Sequence, residues 1–322
     1  MPNHERENGK GPFDGKTYLY IRTHPADDGT EPLPAGLQFW LSPDISVIKR
    51  GGSKGDEAVA GQQNTVEVIV TNAGGIDAND AYVEAFWANP STVMTPATAT
   101  PIGAGFITIP GYSTAAAQFP WTPSASEAGH RCLFARVSLT IPLDTYLDPN
   151  VFDVVGDRHV AQRNISVVAF AAAKTLSFAF VVLNPGAERA GIRVHAAQVR
   201  EGGELRHLAR AVGCELAHFT GAPLGGVGLV AGRQPVSFDG DQDRLAHANL
   251  VAKARTTGVV SRASAANARP SVGMTLNAGA ARQAILQLTR GDARAGELQA
   301  VRITQTGEDG AVQGGLTVVV RS

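Results

Sequence analysis

Residues 129–139 read GHRCLFARVSL. Leu133, Ala135, Val137 and Leu139 fall on one face of an extended chain, because successive strand side chains point to opposite sides. His130, Cys132 and Phe134 fall on the other, before Arg136 and Ser138 turn that face polar. Both faces are largely apolar, as in a strand central to a sandwich. The reading also weighs the His130–Cys132 pair. Residues at i and i+2 share a face, which allows a catalytic or metal-binding pairing. A nucleophilic cysteine, however, needs a thiolate, a nearby cation or helix N-terminus, and access for substrate. A strand interior gives no access, so His130 and Cys132 read as structural.

Working outward, the same pattern repeats. TYLYIRT (17–23) reads as a first strand after a disordered 1–16. FWLSPDISVI, NTVEVIVTNAGG (64–75), DAYVEAFWANP (80–90), FITIPGY (106–112), AAAQFPWTP (115–123) and HVAQRNISVVAF (159–170) are short strands separated by Gly, Pro and Asn turns, with no helical period. Each strand has an apolar face that needs a second sheet, so an antiparallel sandwich is the physical solution. The second half restarts the pattern. KTLSFAFVVLNPGAERAGIRVHAAQVR (174–200) gives strand, turn and strand, ELRHLARAV is a strand or a short helix, and residues 282–322 give three more strands. GAPLGGVGLVAG (221–232) reads as a flexible loop. It lacks the Lys-Ser/Thr end of a phosphate loop and the GxGxxG spacing of a dinucleotide site. The fold class expected is all-β: two tandem antiparallel β-sandwich, immunoglobulin-like domains. Residues 1–38 form an N-terminal extension with one strand, 39–169 the first sandwich and 170–322 the second.

The first unit resembles a known family. SPDISV, GQQNTVEVIVTNAGG, AYVEAFWANP, IPGY, FPWTPSASEAGHRCLFARV and HVAQRNISVV resemble, in order, the bacterial Ig-like domain of the cell-adhesion-related (CARDB-type) kind over about residues 39–168. The resemblance implies an accessory module that positions other domains or mediates adhesion, with no recurrent catalytic residues. It also favours a surface or secreted location. The family's late turn appears here as VVGDRHVAQRN, a departure that removes support for any metal role attached to it.

Composition narrows the function classes. With 322 residues, 43% hydrophobic and 18% charged, the chain has enough apolar material for two packed domains. A net charge of −1 argues against nucleic acid as the main partner. Residues 1–168 carry 11 Lys+Arg against 18 Asp+Glu, and the remainder 17 against 11. That split fits two domains that face each other or have different neighbours, and equally fits drift between separately evolved domains. No apolar run is long enough for a membrane span, and no secretory signal is visible. The expectation is a cytoplasmic protein or one exported by a non-standard route, including as a component of a phage-like or secreted assembly.

Candidate sites follow. Trp40, Trp87 and Trp121 offer a sugar-stacking or protein-docking surface, or belong to the core, with Trp40 the one expected to be partly exposed. DTYLDPNVFDVVGD (144–157) places Asp148, Asp153 and Asp157, with Asp144 and Asn150, in one loop. FDGDQDRLAHAN (238–249) places Asp239, Asp241 and Asp243 at i, i+2 and i+4. Oxygen ligands in a loop suit Ca²⁺, the cofactor such loops would take, although neither has EF-hand spacing. No HExxH occurs. The function expected is a non-enzymatic adhesion, scaffolding or assembly module acting through a protein partner or self-association. The alternative is a carbohydrate- or calcium-dependent binding module.

Overall fold

The computed structural model describes residues 12–55, 58–124, 131–170, 174–236, 259–263 and 269–322. The first ten strands are β1 (Leu19–Tyr20), β2 (Ile45–Ile48), β3 (Lys54–Gly55), β4 (Asn64–Asn72), β5 (Ala78–Ala88), β6 (Thr100–Ile109), β7 (Ser113–Trp121), β8 (Cys132–Leu139), β9 (Asp144–Thr145) and β10 (Val160–Arg163). They form two sheets. One has the order β1-β4-β2-β3 with β7 on β4; the other has β10-β8-β5-β6 with β9 on β8. Val66, Val68 and Val70 of β4 meet Val83 and Ala85 of β5 and Leu133, Ala135 and Val137 of β8 in one core. The alternating face read from residues 133–139 is thus the inner face of this sandwich. Leu19 and Ile21 join the same core.

The rest of the chain is β11 (Ile165–Ala169), β12 (Thr175–Leu183), β13 (Ala190–Val199), helix α1 (Gly202–Ala211), β14 (Gly226–Val236), β15 (Val259–Ala263), β16 (Ser271–Leu276), β17 (Ala281–Thr289), β18 (Leu298–Thr306) and β19 (Val312–Arg321). Two more sheets result, β11-β19-β18-β13-β16 and β12-β17-β14-β15. They share a core of Phe178, Phe180, Leu229 and Leu286 with Val194, Val301, Ile303 and Val318. The ladders are antiparallel except β11 on β19. The fold is all-β, in two Ig-like pairs of sheets.

One open local reading is decided and two change. ELRHLARAV is helical: Leu205, Leu208 and Ala209 are its buried face at i, i+3 and i+4. The glycine-rich 221–232 is not a loop throughout; Gly226–Val236 is a strand between β17 and β15. Glycine is required there by close approach, since a Cβ on Gly232 would lie 2.7 Å from the Gln283 carbonyl oxygen. The stretch 159–170 is two strands with Asn164 alone between them, β10 in the first sandwich and β11 in the second.

That crossing explains the other face of β8. Cys132 and Phe134 point away from the first core into a third apolar cluster with Phe86, Trp40, Ile165, Leu208, Leu298 and Val319, drawn from both sandwiches and α1. The outer face of an antiparallel sheet normally meets water. Here the second sandwich covers it, at roughly 1.5–3 kcal/mol per fully buried large side chain. Backbone contacts reinforce the seam. Val181 donates to the Pro90 carbonyl at 2.8 Å and accepts from the Thr92 amide at 3.0 Å.

Candidate functional site

The tryptophans fall in the cores. Trp40 is 2% exposed, Trp87 7% and Trp121 8%. The expected partial exposure of Trp40 is corrected by the second sandwich, which covers the ring and places the Thr317 hydroxyl 3.1 Å from its Nε1. Trp87 and Trp121 pack against each other at 6.3 Å, beneath the inner faces of β5 and β7. None of the three offers a ring face to a sugar.

Cys132 is fully buried. Its Sγ lies 2.6 Å from the Asn164 Oδ1, and burial pushes the thiol up to about 12. A group held so far from thiolate is not a nucleophile at neutral pH. Cys132 and Cys214 are not disulfide-bonded, and Cys214 is partly exposed. Iodoacetamide under native conditions is therefore expected to label Cys214 and spare Cys132. Rapid labelling of Cys132 in the folded chain would revive the nucleophile reading. His130, Asp239, Asp241 and Asp243 lie outside the described residues.

Asp148 and Asp153 of the 144–157 stretch are not gathered with the other aspartates. The Asp148 carboxylate accepts from the Asn150 amide at 2.7 Å and that of Asp153 from Gly156 at 2.9 Å, each closing its own turn. Asp157 is buried and joins a partner the sequence did not single out, His159. The His159 Nδ1 is 2.8 Å from Asp157 and its Nε2 2.8 Å from Asp144. Both ring nitrogens face carboxylate oxygens, so both must donate, and the ring is an imidazolium. Burial alone would drive its pKa down; the bonds to Asp144 and Asp157 outweigh that and hold it above the ordinary histidine value. Burial would raise both aspartates, yet the His159 bonds and main-chain amides hold them below the carboxylate value. Arg158 bridges Asp144 and Glu31, each at 2.6 Å. Among the described residues, no group of three His, Cys, Asp or Glu side chains is arranged to hold a metal.

The feature that stands out is one end of the first sandwich. The register Tyr82↔Ser138, Ala78↔Ile109 and Leu139↔Asp144 brings three turns to the same pole, the end away from the 90–93 contact with the second sandwich. These are 73–77, 110–112 and 140–143. They carry Ile76 at 42% exposure, Tyr112 at 58%, Ile141 at 82% and Leu143 at 78%. Phe106 (68%) and Leu147 (76%) flank them. Phe106 sits 5.0 Å from Tyr82 on the outer face of β5 and β6. Across four neighbouring chains this pole spans about three inter-strand spacings, ~15 Å. Residues 85–126, which supply β6, β7 and the turn between them, contain no Asp, Glu, Lys or Arg.

The turns are locked by side chains that bond the backbone and by one direct backbone bond. The buried Asn72 carboxamide oxygen accepts from the amides of Tyr18 and Gly74, and its nitrogen donates to the carbonyls of Ile76 and Ile109. The Asp77 carboxylate accepts from the Gly111 amide at 2.8 Å, and Tyr112 donates to the Gly74 carbonyl at 2.9 Å. A Cβ on Gly74 would lie 2.1 Å from the Lys16 carbonyl oxygen, and one on Gly111 2.7 Å from that of Gly75. Tyr112 holds φ +56°, uncommon for a bulky residue. Residues 12–16, within the stretch expected to be disordered, buttress this pole: Phe13 stacks on Tyr18 at 3.8 Å and accepts from the Gly75 amide at 3.1 Å.

No protein-family model and no curated protein matches the chain. Solved structures do. The chain is similar to the CARDB domain of a Pyrococcus furiosus protein, solved in complex with di-metal ions, at 20% identity over 44% of this chain and 96% of that one, with a TM-score of 0.25. The CARDB-type likeness expected from residues 39–168 is thus found. The chain is also similar to collagen adhesin from S. aureus, at 10% identity over 89% of this chain and 96% of that one, with a TM-score of 0.25. A third likeness is to CBD12 from CALX1.2, at 12% identity over 80% and 93%, with a TM-score of 0.19. The fold itself rests on the ladders and cores described above. No helix among the described residues is long and apolar enough to cross a membrane.

Proposed function

We propose that this chain is a non-enzymatic β-sandwich module for adhesion, scaffolding or assembly, and that it docks a protein partner through the apolar pole of the first sandwich. In this reading the second sandwich is a second domain that anchors the first. The observation that carries the proposal is the set Ile141, Leu143 and Leu147, three aliphatic side chains at 76–82% exposure at or next to the end of the first sandwich that also carries Tyr112. Contiguous exposed apolar surface on a folded protein marks an interaction site, whereas isolated apolar residues do not. The glycine-tight turns support it, because a rigid pole loses little conformational freedom on docking. The partner surface is apolar and aromatic-tolerant, with a polar rim to meet Asp77 and Asp148.

The test is the double variant Ile141→Asp with Leu143→Asp. Both side chains project into solvent, so stability is expected to stay within about 0.5 kcal/mol of wild type by urea unfolding. Affinity capture from native lysate is expected to recover a stoichiometric protein with the wild-type chain and lose it with the variant. Retention of the same protein by the variant would refute the pole as the docking surface.

A further inference from the structure

A second feature lies at the seam between the sandwiches. A cavity of about 320 Å³ opens where β2, β3 and β4 meet the C-terminal end of α1. Its apolar wall is Leu41, Pro43 and Ile69, and its polar wall is Lys54, Arg163, His207 and Arg210. The volume is at the lower end of small-ligand pockets.

The charges are one-sided. Glu67, the single acid in the lining, is already engaged, pairing with Lys54 and accepting from Gln118 Nε2 at 2.9 Å. Arg163 is buried and fixes the cavity floor, donating to the Ser42 carbonyl at 2.6 Å and to the Ala211 carbonyl at the end of α1. The second of these bonds offsets the negative end of the helix dipole that would otherwise repel an anion. Arg210 is exposed at the rim. His207 is half-buried among cations. Burial first, and then the charges of Arg163, His24 and Arg210, hold its pKa below the ordinary value. The pocket therefore has a positive field with an apolar back wall.

We propose that this seam cavity binds a compact organic carboxylate, with its apolar end against Leu41, Pro43 and Ile69 and its carboxylate facing Arg210 and His207. Arginine forks and imidazolium suit a carboxylate, and the apolar wall favours a hydrocarbon body over a bare inorganic ion. A carboxylate beside His207 opposes the burial and the neighbouring cations that lower its pKa, so occupancy favours a proton on that ring. Because the walls come from the first sandwich and from α1, the ligand also staples that helix to the first sandwich.

Calorimetric titration of the full chain with benzoate, hexanoate and inorganic phosphate tests this. Saturable 1:1 binding of benzoate or hexanoate is expected, tighter near pH 6 than near pH 8, with proton uptake visible as a buffer-dependent heat. Arg210→Glu is expected to weaken it by about tenfold or more. Arg206→Glu, on an exposed position of the same helix outside the cavity lining, is expected to leave it unchanged. Circular dichroism confirms that both variants fold. Absence of saturable binding to both carboxylates, binding of phosphate alone, or equal affinity in Arg210→Glu would each overturn the assignment.

Discussion

Replacing His159 with alanine is expected to destabilise the folded chain by about 3–5 kcal/mol, because it leaves two buried carboxylates without their shared cation. Asp144 and Asp157 have side chains 4% and 3% exposed, and His159 is 3% exposed between them. The carboxylates also accept from the main chain, Asp144 from the Leu19 amide at 2.8 Å and Asp157 from the Leu147 amide at 2.6 Å. The cluster therefore pins β1 and the 143–147 segment to the sandwich. It is also the support beneath Leu143 and Leu147, so the variant is expected to weaken docking at the pole as well as the fold.

The pH dependence follows from the directions of the shifts. His159 is raised above its ordinary 6.5, so its contribution is complete below that value and lost as pH climbs through the folded pKa. Asp144 and Asp157 are held below 3.8, so theirs is present above that value and lost as pH falls through the folded pKa. Arg158, Glu31 and the Tyr18 ring, 4.2 Å from the Arg158 guanidinium, are the other groups facing the cluster. His195 and His207 are held below 6.5, so they reduce stability only on the acid side. Urea unfolding is thus expected to show falling stability from neutral to alkaline pH in the wild type. Between pH 6.5 and about 8, below the range in which the buried Cys132 thiol adds its own alkaline loss, that fall is expected to vanish in His159→Gln. An unchanged alkaline limb, or a His159→Ala variant as stable as wild type, would show that the cluster holds nothing.

Much of the fold was legible along the chain, and the reasons are local. Alternation in 64–72 and 133–139 is a property of single strands, and the turn residues between them force the chain to reverse. The second apolar face of β8 was legible too, but not what covers it, since the seam with the second sandwich depends on strands far away in sequence. Trp40 illustrates the same limit: it follows a loop, yet Thr317 and Gly315 close over it. The apolar pole was hidden for the opposite reason. TIPLDTYL carries the same residue types as a core strand, and only the register of β8, β5 and β6 shows that Ile141 and Leu143 lie past the strand end. The His159 cluster escaped notice because an HV pair at the start of a strand looks ordinary until Asp144 and Asp157 fold back on it.

Asn164 gives the second large effect. It is 0% exposed and is the single residue at which the chain passes from one sandwich to the other. Its carboxamide nitrogen donates to the Ser91 carbonyl at 2.6 Å and to the Gly315 carbonyl at 2.8 Å. Its main-chain amide donates to the Trp40 carbonyl at 2.8 Å, and its own carbonyl accepts from Thr317 at 3.0 Å. Asparagine suits this place because two donors on one nitrogen reach a carbonyl in each sandwich, while its oxygen lies against Cys132. Asn164→Ala is expected to cost about 2–5 kcal/mol, since each buried group left unmet costs about 1–3 kcal/mol. Asn164→Asp is expected to cost more, because it turns a carboxylate toward two carbonyl oxygens in a dry seam. The readout separates seam from core. All three tryptophans precede Asn164 in the chain, whereas far-UV circular dichroism reports both sandwiches. Wild type is expected to give coincident transitions by the two probes, and Asn164→Asp two that separate. Coincident transitions at unchanged stability in that variant would mean that the shared apolar cluster alone, and not the amide at its centre, joins the two sandwiches.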